Sequence, residues 1–190
     1  HRDPASIRDL VAGVAQPAGV EVARALCGEN PLGATTHISV LDAQGMAAAM
    51  TTSNGEGCGH VLPGLGIHVN NFLGEDDINP AGFHQLPPGV SMSTMMSPTV
   101  VLAGDRACFA LGSGGSNRIR SAILQALLNL LAYRRPLDEA VNAARLHVEG
   151  RKLWFESPGL AAGVADALHS AWPEATRFDA KSMFFGGVNC

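Results

Sequence analysis

The stretch G-A-T-T-H-I-S-V, Gly33 to Val40, sets two adjacent hydroxyls between a small, flexible lead-in and an apolar, alternating run. Threonine is common where a strand begins. From Thr36 the pattern continues as T-H-I-S-V-L-D-A-Q-G-M-A-A-A-M-T-T. These are two apolar runs joined by D-A-Q-G, a turn composition with glycine where a positive φ is needed, and they predict a β-hairpin.

Working outward, a Gly-rich loop, N-G-E-G-C-G, leads to a candidate strand over Ile67 to Asn71. Residues 74–97, rich in Gly, Pro and acids, read as a long surface loop, and long loops in compact domains tend to be functional. S-P-T-V-V-L-A-G-D-R-A-C-F-A-L-G predicts a second hairpin. After it, Ile119, Ile123, Ala126, Leu127, Leu130 and Leu131 follow helical spacing, with Ser116 or Asn117 as the expected cap. A shorter helix follows Pro136, then a strand pair around L-H-V-E and K-L-W-F-E, a helix from Pro158 to about Ala171, and a strand over M-F-F-G-G-V-N. Before Gly33, a short helix after Pro4 and another over V-E-V-A-R-A-L end at the Cys27-Gly28 stop signal. Hairpins in one part and helices in another, with little βαβ alternation, indicate an α+β fold.

Composition narrows the function classes. A net charge of −4 with 13 Lys+Arg and no basic run offers nothing to a phosphate backbone, so nucleic acid is not an expected partner. The apolar stretch Ala122 to Ala132 is interrupted by Gln125 and Asn129 and is too short to cross a bilayer. Four cysteines, Cys27, Cys58, Cys108 and Cys190, have no ligand spacing and read as buried or incidental thiols. His60, His68 and His84 likewise lack the spacing of a metal site. The chain, opening at His1 and stopping at Cys190, reads as a piece of a longer polypeptide.

A threonine hydroxyl is a weak nucleophile without a neighbouring base, and one solution is the α-amine of the same residue once it becomes a chain terminus. Cutting the Ala34–Thr35 bond would free such an amine, with an ordinary pKa near ~8. Gly33 and Ala34 are small enough to allow Thr35 Oγ to approach the Ala34 carbonyl. The competing reading is that T-T-H is strand entry and nothing more.

T-T-H-I-S-V-L-D-A-Q-G at 35–45, Gly57 and Gly59, G-I-H-V-N-N at 66–71, M-S-P-T-V-V at 96–101 and G-S-G-G-S-N-R-I at 112–119 together resemble, in order and spacing, the γ-glutamyltranspeptidases, or glutathione hydrolases. These are N-terminal-nucleophile hydrolases. The resemblance covers roughly residues 35 to 157. It implies a precursor that cleaves itself before Thr35, an αββα four-layer sandwich, no cofactor, no metal, and a large subunit from the same precursor as partner. Residues 1–34 would end that large subunit, and residues 35–190 would belong to the small one. Thr35 resembles the nucleophile, with Thr36 as the alternative register. Thr52 resembles the assisting threonine, with Thr51 or Ser53 as alternatives, and Asn54 a substrate contact. Gly114 and Gly115 resemble the glycines whose N–H groups form the oxyanion hole, just ahead of a helix N-terminus.

Two departures bear on substrate. Where the family has an Asp for the γ-glutamyl α-amine, this chain has Gly74 followed by Glu75. Where it has paired serines for the α-carboxylate, this chain has Thr94 and Met95. The implied substrate is a small γ-glutamyl amide, the alternatives being an acylase acting on another amide or a catalytically silent member. His37 is expected to pack or hydrogen-bond rather than react, because alternation turns it away from the face of Thr36. Arg118 and Arg120 flank the helix start, where either could support the glycine loop.

Overall fold

The computed structural model describes residues 35–190. The two helices expected before Gly28 and the Ala34 side of the expected cleavage site lie outside the described residues. Ser53–Pro88 belong to one compact unit, and Thr35–Thr52 with Gly89–Cys190 to a second.

Among the described residues ten strands follow one another: β1 (Thr35–Leu41), β2 (Ala47–Ser53), β3 (Val61–Leu62), β4 (Ile67–His68), β5 (Thr99–Ala103), β6 (Arg106–Gly114), β7 (Leu146–Glu149), β8 (Lys152–Glu156), β9 (Thr176–Phe178) and β10 (Gly187–Asn189). The α-helices are α1 (Ile119–Leu127), α2 (Leu137–Asn142) and α3 (Val164–Ala171).

The second unit starts with the expected hairpin, β1 paired to β2. Its turn is held by the Asp42 carboxylate, which accepts the N–H groups of Gln44 and Met46 at 2.9 and 2.8 Å. Gly45 supplies the left-handed residue at φ +87°. The next hairpin, β5 with β6, gains β10 on the other edge of β6, giving the order β10-β6-β5 with Gly187 opposite Gly114. Helix α1 lays Ile119, Ile123 and Ala126 on Leu111 of β6, and Met95, Met96, Val101, Phe109 and Val188 pack around them. That stripe follows the helical period, except that Leu131 is half exposed. The helix runs on into a π-helical turn, Leu128–Ala132.

Several expectations are corrected. Neither Ser116 nor Asn117 caps α1: Ser116–Arg118 form a 3-10 turn with no side-chain cap, and Asn117 Nδ2 donates to Glu149 Oε1 at 2.9 Å. Helix α3 begins at Val164 rather than Pro158, because Gly159 and Gly163 take φ +85° and +80°. The tail is a 3-10 turn, Met183–Phe185, before the strand β10. Of the two readings of the cysteines, buried or incidental, Cys58, Cys108 and Cys190 fit the second, being free and exposed. Strand β9 was not foreseen: it pairs parallel to β8, with α3 as the crossover, while β7 pairs antiparallel on the other side.

In the first unit, β3 and β4 pair antiparallel, and the strand expected over Ile67 to Asn71 is reduced to β4. The Gly-rich loop folds around one side chain, Asn71 Oδ1, which accepts the N–H groups of Glu56 and Gly57 at 2.8 and 3.0 Å. The following segment forms 3-10 turns at Phe72–Gly74 and Asp76–Ile78. It is not all surface: Ile78 and Asn79 are buried, and Asn79 Nδ2 donates to the Glu75 carbonyl at 2.7 Å. No helix of the described residues is long and apolar enough to cross a membrane.

What positions the second unit's first strand is the lack of side chains on β6. A Cβ at Gly112 would lie 2.2 Å from His37 Nδ1, and one at Gly114 would lie 2.9 Å from the Thr35 carbonyl oxygen. Gly112 and Gly114 share one face of β6, and Thr35 and His37 share one face of β1. Bare backbone on the first face therefore seats the second. Gly112→Ala is expected to destabilise the protein by about 1–3 kcal/mol, the cost of overpacking a tight contact, and thermal or urea unfolding against wild type measures it.

Candidate functional site

Thr35 opens β1 at a cleft of about 290 Å³ lined by Thr35, Thr36 and His37, by Gly114 of β6, and by Met183 and Gly187, Val188 and Asn189. The sequence ties Thr35 to Gly114 only by resemblance; the fold brings them into contact, since a Cβ on Gly114 would lie 3.5 Å from Thr35 Cβ. The alternative nucleophile, Thr36, also reaches the cleft but is more exposed. Gly115, at φ +123°, lies against the backbone of Gly186, whose Cα is 2.8 Å from where a Cβ on Gly115 would sit.

His37 is buried, and both ring nitrogens meet hydroxyls: Nδ1 lies 2.7 Å from Thr51 Oγ1 and Nε2 3.0 Å from Ser39 Oγ. A neutral imidazole donates at one nitrogen and accepts at the other, and each hydroxyl can take the complementary role. This is the hydrogen-bonded role expected for it. Alternation along β2 turns Ala47, Ala49, Thr51 and Ser53 to the more protected side and leaves Thr52 exposed on the other. Of the three candidates for an assisting hydroxyl, then, Thr51 joins the His37 network, Ser53 shares its side of the strand, and Thr52 points away from both.

Asn54 and Glu75 lie in the first unit. The Asn54 carbonyl accepts the N–H groups of Gly57 and Asn71 at 3.0 and 3.1 Å, and its side-chain amide donates to the His68 carbonyl at 3.4 Å. Glu75 packs on Gly55, where a Cβ would meet Glu75 Oε1 at 2.1 Å and Asn71 Oδ1 at 2.3 Å. Burial, reinforced by the charges of Asp77 and Glu56, holds the Glu75 carboxyl above the usual range. Thr94 is exposed, whereas Met95 packs on the Leu111 core cluster. Arg118 donates from Nε to the Phe184 carbonyl at 2.9 Å, and its guanidinium stands 4.5 Å from the centre of the Phe184 ring. Among the described residues no three His, Cys, Asp or Glu side chains cluster as a metal site would require.

The tail's share of the cleft is not marked in the sequence. Met183 and Asn189 carry no motif, and M-F-F-G-G-V-N alone does not say that it pairs beside Gly114. The G-x-G spacing of Gly112 and Gly114 was a usable signal, since glycine inside a strand marks a close approach.

The Gamma-glutamyltranspeptidase family model matches residues 5–189. The chain is similar to the acylase ACY 1 proenzyme of Pseudomonas sp. strain SE83, 36% identical over 157 residues, covering 82% of this chain and 27% of that protein. It is 29% identical over 139 residues to the glutathione hydrolase proenzyme of Bacillus subtilis strain 168, covering 72% of this chain and 24% of that one. The chain thus spans about a quarter of the length of these relatives. Among solved structures it is similar to the γ-glutamyltranspeptidase of Pseudomonas nitroreducens complexed with L-DON. There the TM-score is 0.67 at 27% identity, covering 80% of this chain and 86% of that one.

Burial holds His37 below the ordinary imidazole range. An unfolded chain takes up that proton near pH ~6.5 and the folded chain only at lower pH. Between the two values the unfolded state binds more protons, so stability falls as pH falls through this window. Burial displaces His147 in the same direction. His37→Gln is expected to flatten, without abolishing, the drop in melting temperature between about pH 7 and pH 5. An unchanged slope in differential scanning fluorimetry would contradict this.

Proposed function

Because the chain belongs to the γ-glutamyltranspeptidase family, we propose that it is the part of a proenzyme that cleaves itself before Thr35 and then uses Thr35 as the nucleophile of an amidohydrolase. The observation that carries this reading is the contact of Thr35 with Gly114 in an open cleft. In this proposal residues 1–34 end the large subunit, residues 35–190 belong to the small one, and the complete assembly is a four-layer αββα sandwich.

In the proposed reaction the freed α-amine of Thr35 accepts the hydroxyl proton as Oγ attacks the substrate's amide carbonyl. Negative charge then develops on the carbonyl oxygen, where backbone N–H groups of Gly114 and Gly115 would stabilise it. The C–N bond breaks, the leaving amine takes the proton, and the acyl group remains as an ester of Thr35. Water or an acceptor amine, deprotonated by the same α-amine, attacks the ester and restores the hydroxyl.

The proposed substrate is a γ-glutamyl amide such as glutathione, for which the family resemblance assigns Glu75 to the α-amine in place of aspartate, and Asn54 and Thr94 as further contacts. A second reading, an acylase for a different side-chain amide, is favoured by Met95, which offers no hydroxyl and packs on the core. The higher identity to the acylase proenzyme than to the glutathione hydrolase proenzyme also favours it.

Intact mass and N-terminal sequencing of the full-length protein test the first step: a new terminus at T-T-H-I-S is expected. A single uncut chain after a day's incubation supports the silent-member reading instead. Thr35→Ala is expected to remain uncut and to lose activity by at least about 10⁴-fold, the scale of losing a nucleophile. Parallel assays with γ-glutamyl, glutaryl and 4-aminobutyryl anilides, the second lacking the α-amine and the third the α-carboxylate, decide between the two substrate readings. Glu75→Gln is expected to raise KM about tenfold or more for the γ-glutamyl anilide but not for the glutaryl one, the order of one charge-assisted contact. An equal effect on these two anilides would remove Glu75 from amine recognition.

A further inference from the structure

Ser113 is fully buried, and its hydroxyl donates to the carbonyl of Gly114, the next residue, at 2.7 Å. That carbonyl belongs to the peptide unit whose N–H is that of Gly115. A peptide unit is planar and trans, so its C=O and N–H point in opposite directions. Fixing the carbonyl toward Ser113 therefore fixes the direction of the Gly115 N–H.

Gly186 lies directly against the same hydrogen bond. A Cβ there would lie 2.3 Å from the Gly114 oxygen and 2.6 Å from Ser113 Oγ, and Gly186 takes φ +79°. Gly186 is itself held firmly. Its carbonyl accepts from Arg145 Nη1 at 2.6 Å and its N–H donates to the Met183 carbonyl at 3.0 Å. Two residues earlier, the Phe184 carbonyl accepts from Arg118, and the Ser182 N–H donates to the buried Glu156 carboxylate at 2.8 Å. The Gly114 carbonyl thus accepts from a buried hydroxyl and has a braced glycine packed against it.

We propose that Ser113 and Gly186 are positioning residues that set the orientation of the Gly115 N–H toward the oxygen on which charge develops. This deepens the reading of Gly114 and Gly115 as oxyanion donors and rests on it. Ser113 touches neither substrate nor nucleophile in this proposal; it acts through the peptide that follows it. Preorganised donors stabilise the transition state without reorganising as charge develops, and a peptide free to rock by tens of degrees would lose that advantage.

The test compares full-length wild type, Ser113→Ala, Ser113→Thr and Gly186→Ala on whichever anilide the wild type hydrolyses, with Thr35→Ala alongside. Ser113→Ala is expected to lower kcat roughly tenfold to a hundredfold, short of the ~10²–10³ lost with a donor itself, while KM stays within about twofold. A boronic acid carrying the same acyl group, which forms a tetrahedral adduct with a hydroxyl, should weaken in parallel with kcat. Ser113→Thr, which keeps the hydroxyl, should recover most of the rate. Gly186→Ala, which keeps Ser113 and wedges the carbonyl, should reproduce the kcat loss. An unchanged kcat in Ser113→Ala overturns the proposal, as does an equal loss of kcat, KM and melting temperature in Ser113→Ala and Ser113→Thr. If Ser113→Ala does not fold, the kcat and boronate readings of Gly186→Ala decide in the same way. Retained activity in Thr35→Ala would instead sink the underlying nucleophile reading, separating the two failures.

Discussion

A missing side chain organises the second unit. Because Gly112 and Gly114 present bare backbone, β1 approaches β6 closely enough that a methyl at either position would overlap His37 or the Thr35 carbonyl. That closeness buries an imidazole, and a buried polar group is tolerable only when it is hydrogen-bonded. The two hydroxyls that satisfy it, Thr51 and Ser39, come from the same hairpin. One steric condition thus places the first threonine beside a glycine and determines which neighbouring hydroxyls are already committed.

The far side of the glycine loop rests on a buried carboxylate. Glu156, 2% exposed, accepts from the backbone N–H groups of Arg145 and Ser182 and from Lys181 Nζ. An unpaired buried charge would be costly, so these three donors are a condition for the carboxylate's presence in the interior. Lys181 is half exposed and its pairing is correspondingly weak; the two backbone donors carry the specificity. They fix where the chain turns after β9. Phe178, Phe184 and Phe185 then stack and edge against one another, with ring centres 5.1 to 5.3 Å apart. The result is a tail whose backbone can be pressed against the Gly114 carbonyl without yielding.

Local patterns made both hairpins and α1 legible: D-A-Q-G and A-G-D-R announce turns, and the apolar stripe from Ile119 announces a helix. The contacts that make the site were not legible, because they join residues distant in sequence. Gly187 meets Gly114 and Arg145 meets Gly186, and nothing in the intervening chain records either pairing. Strand β9, only three residues long, has no room for alternation and is defined by its neighbour β8. The choice among Thr51, Thr52 and Ser53 is open in the sequence for a related reason. Resemblance aligns motifs to within a residue, but a strand reverses facing at every residue, so a one-place uncertainty is a choice of side.

The same logic bears on Met95. At this place the family pattern puts a hydroxyl for the substrate's carboxylate, yet here the side chain is part of the apolar packing around Leu111 and Ile119. Restoring a serine would remove buried apolar surface, at a cost of about 25 cal/mol per Å², and would place a hydroxyl where its neighbours are apolar side chains. The methionine is therefore a partly buried side chain packed against the core cluster. Under the proposed function, recognition of the acyl group's acidic end falls to Thr94 and to whatever the large subunit contributes. Under the same proposal the amine end keeps a carboxylate in Glu75. Under that proposal the departure at the amine end retains a carboxylate while the one at the carboxylate end loses a hydroxyl, and a substrate without the α-carboxylate would forgo only the weakened interaction.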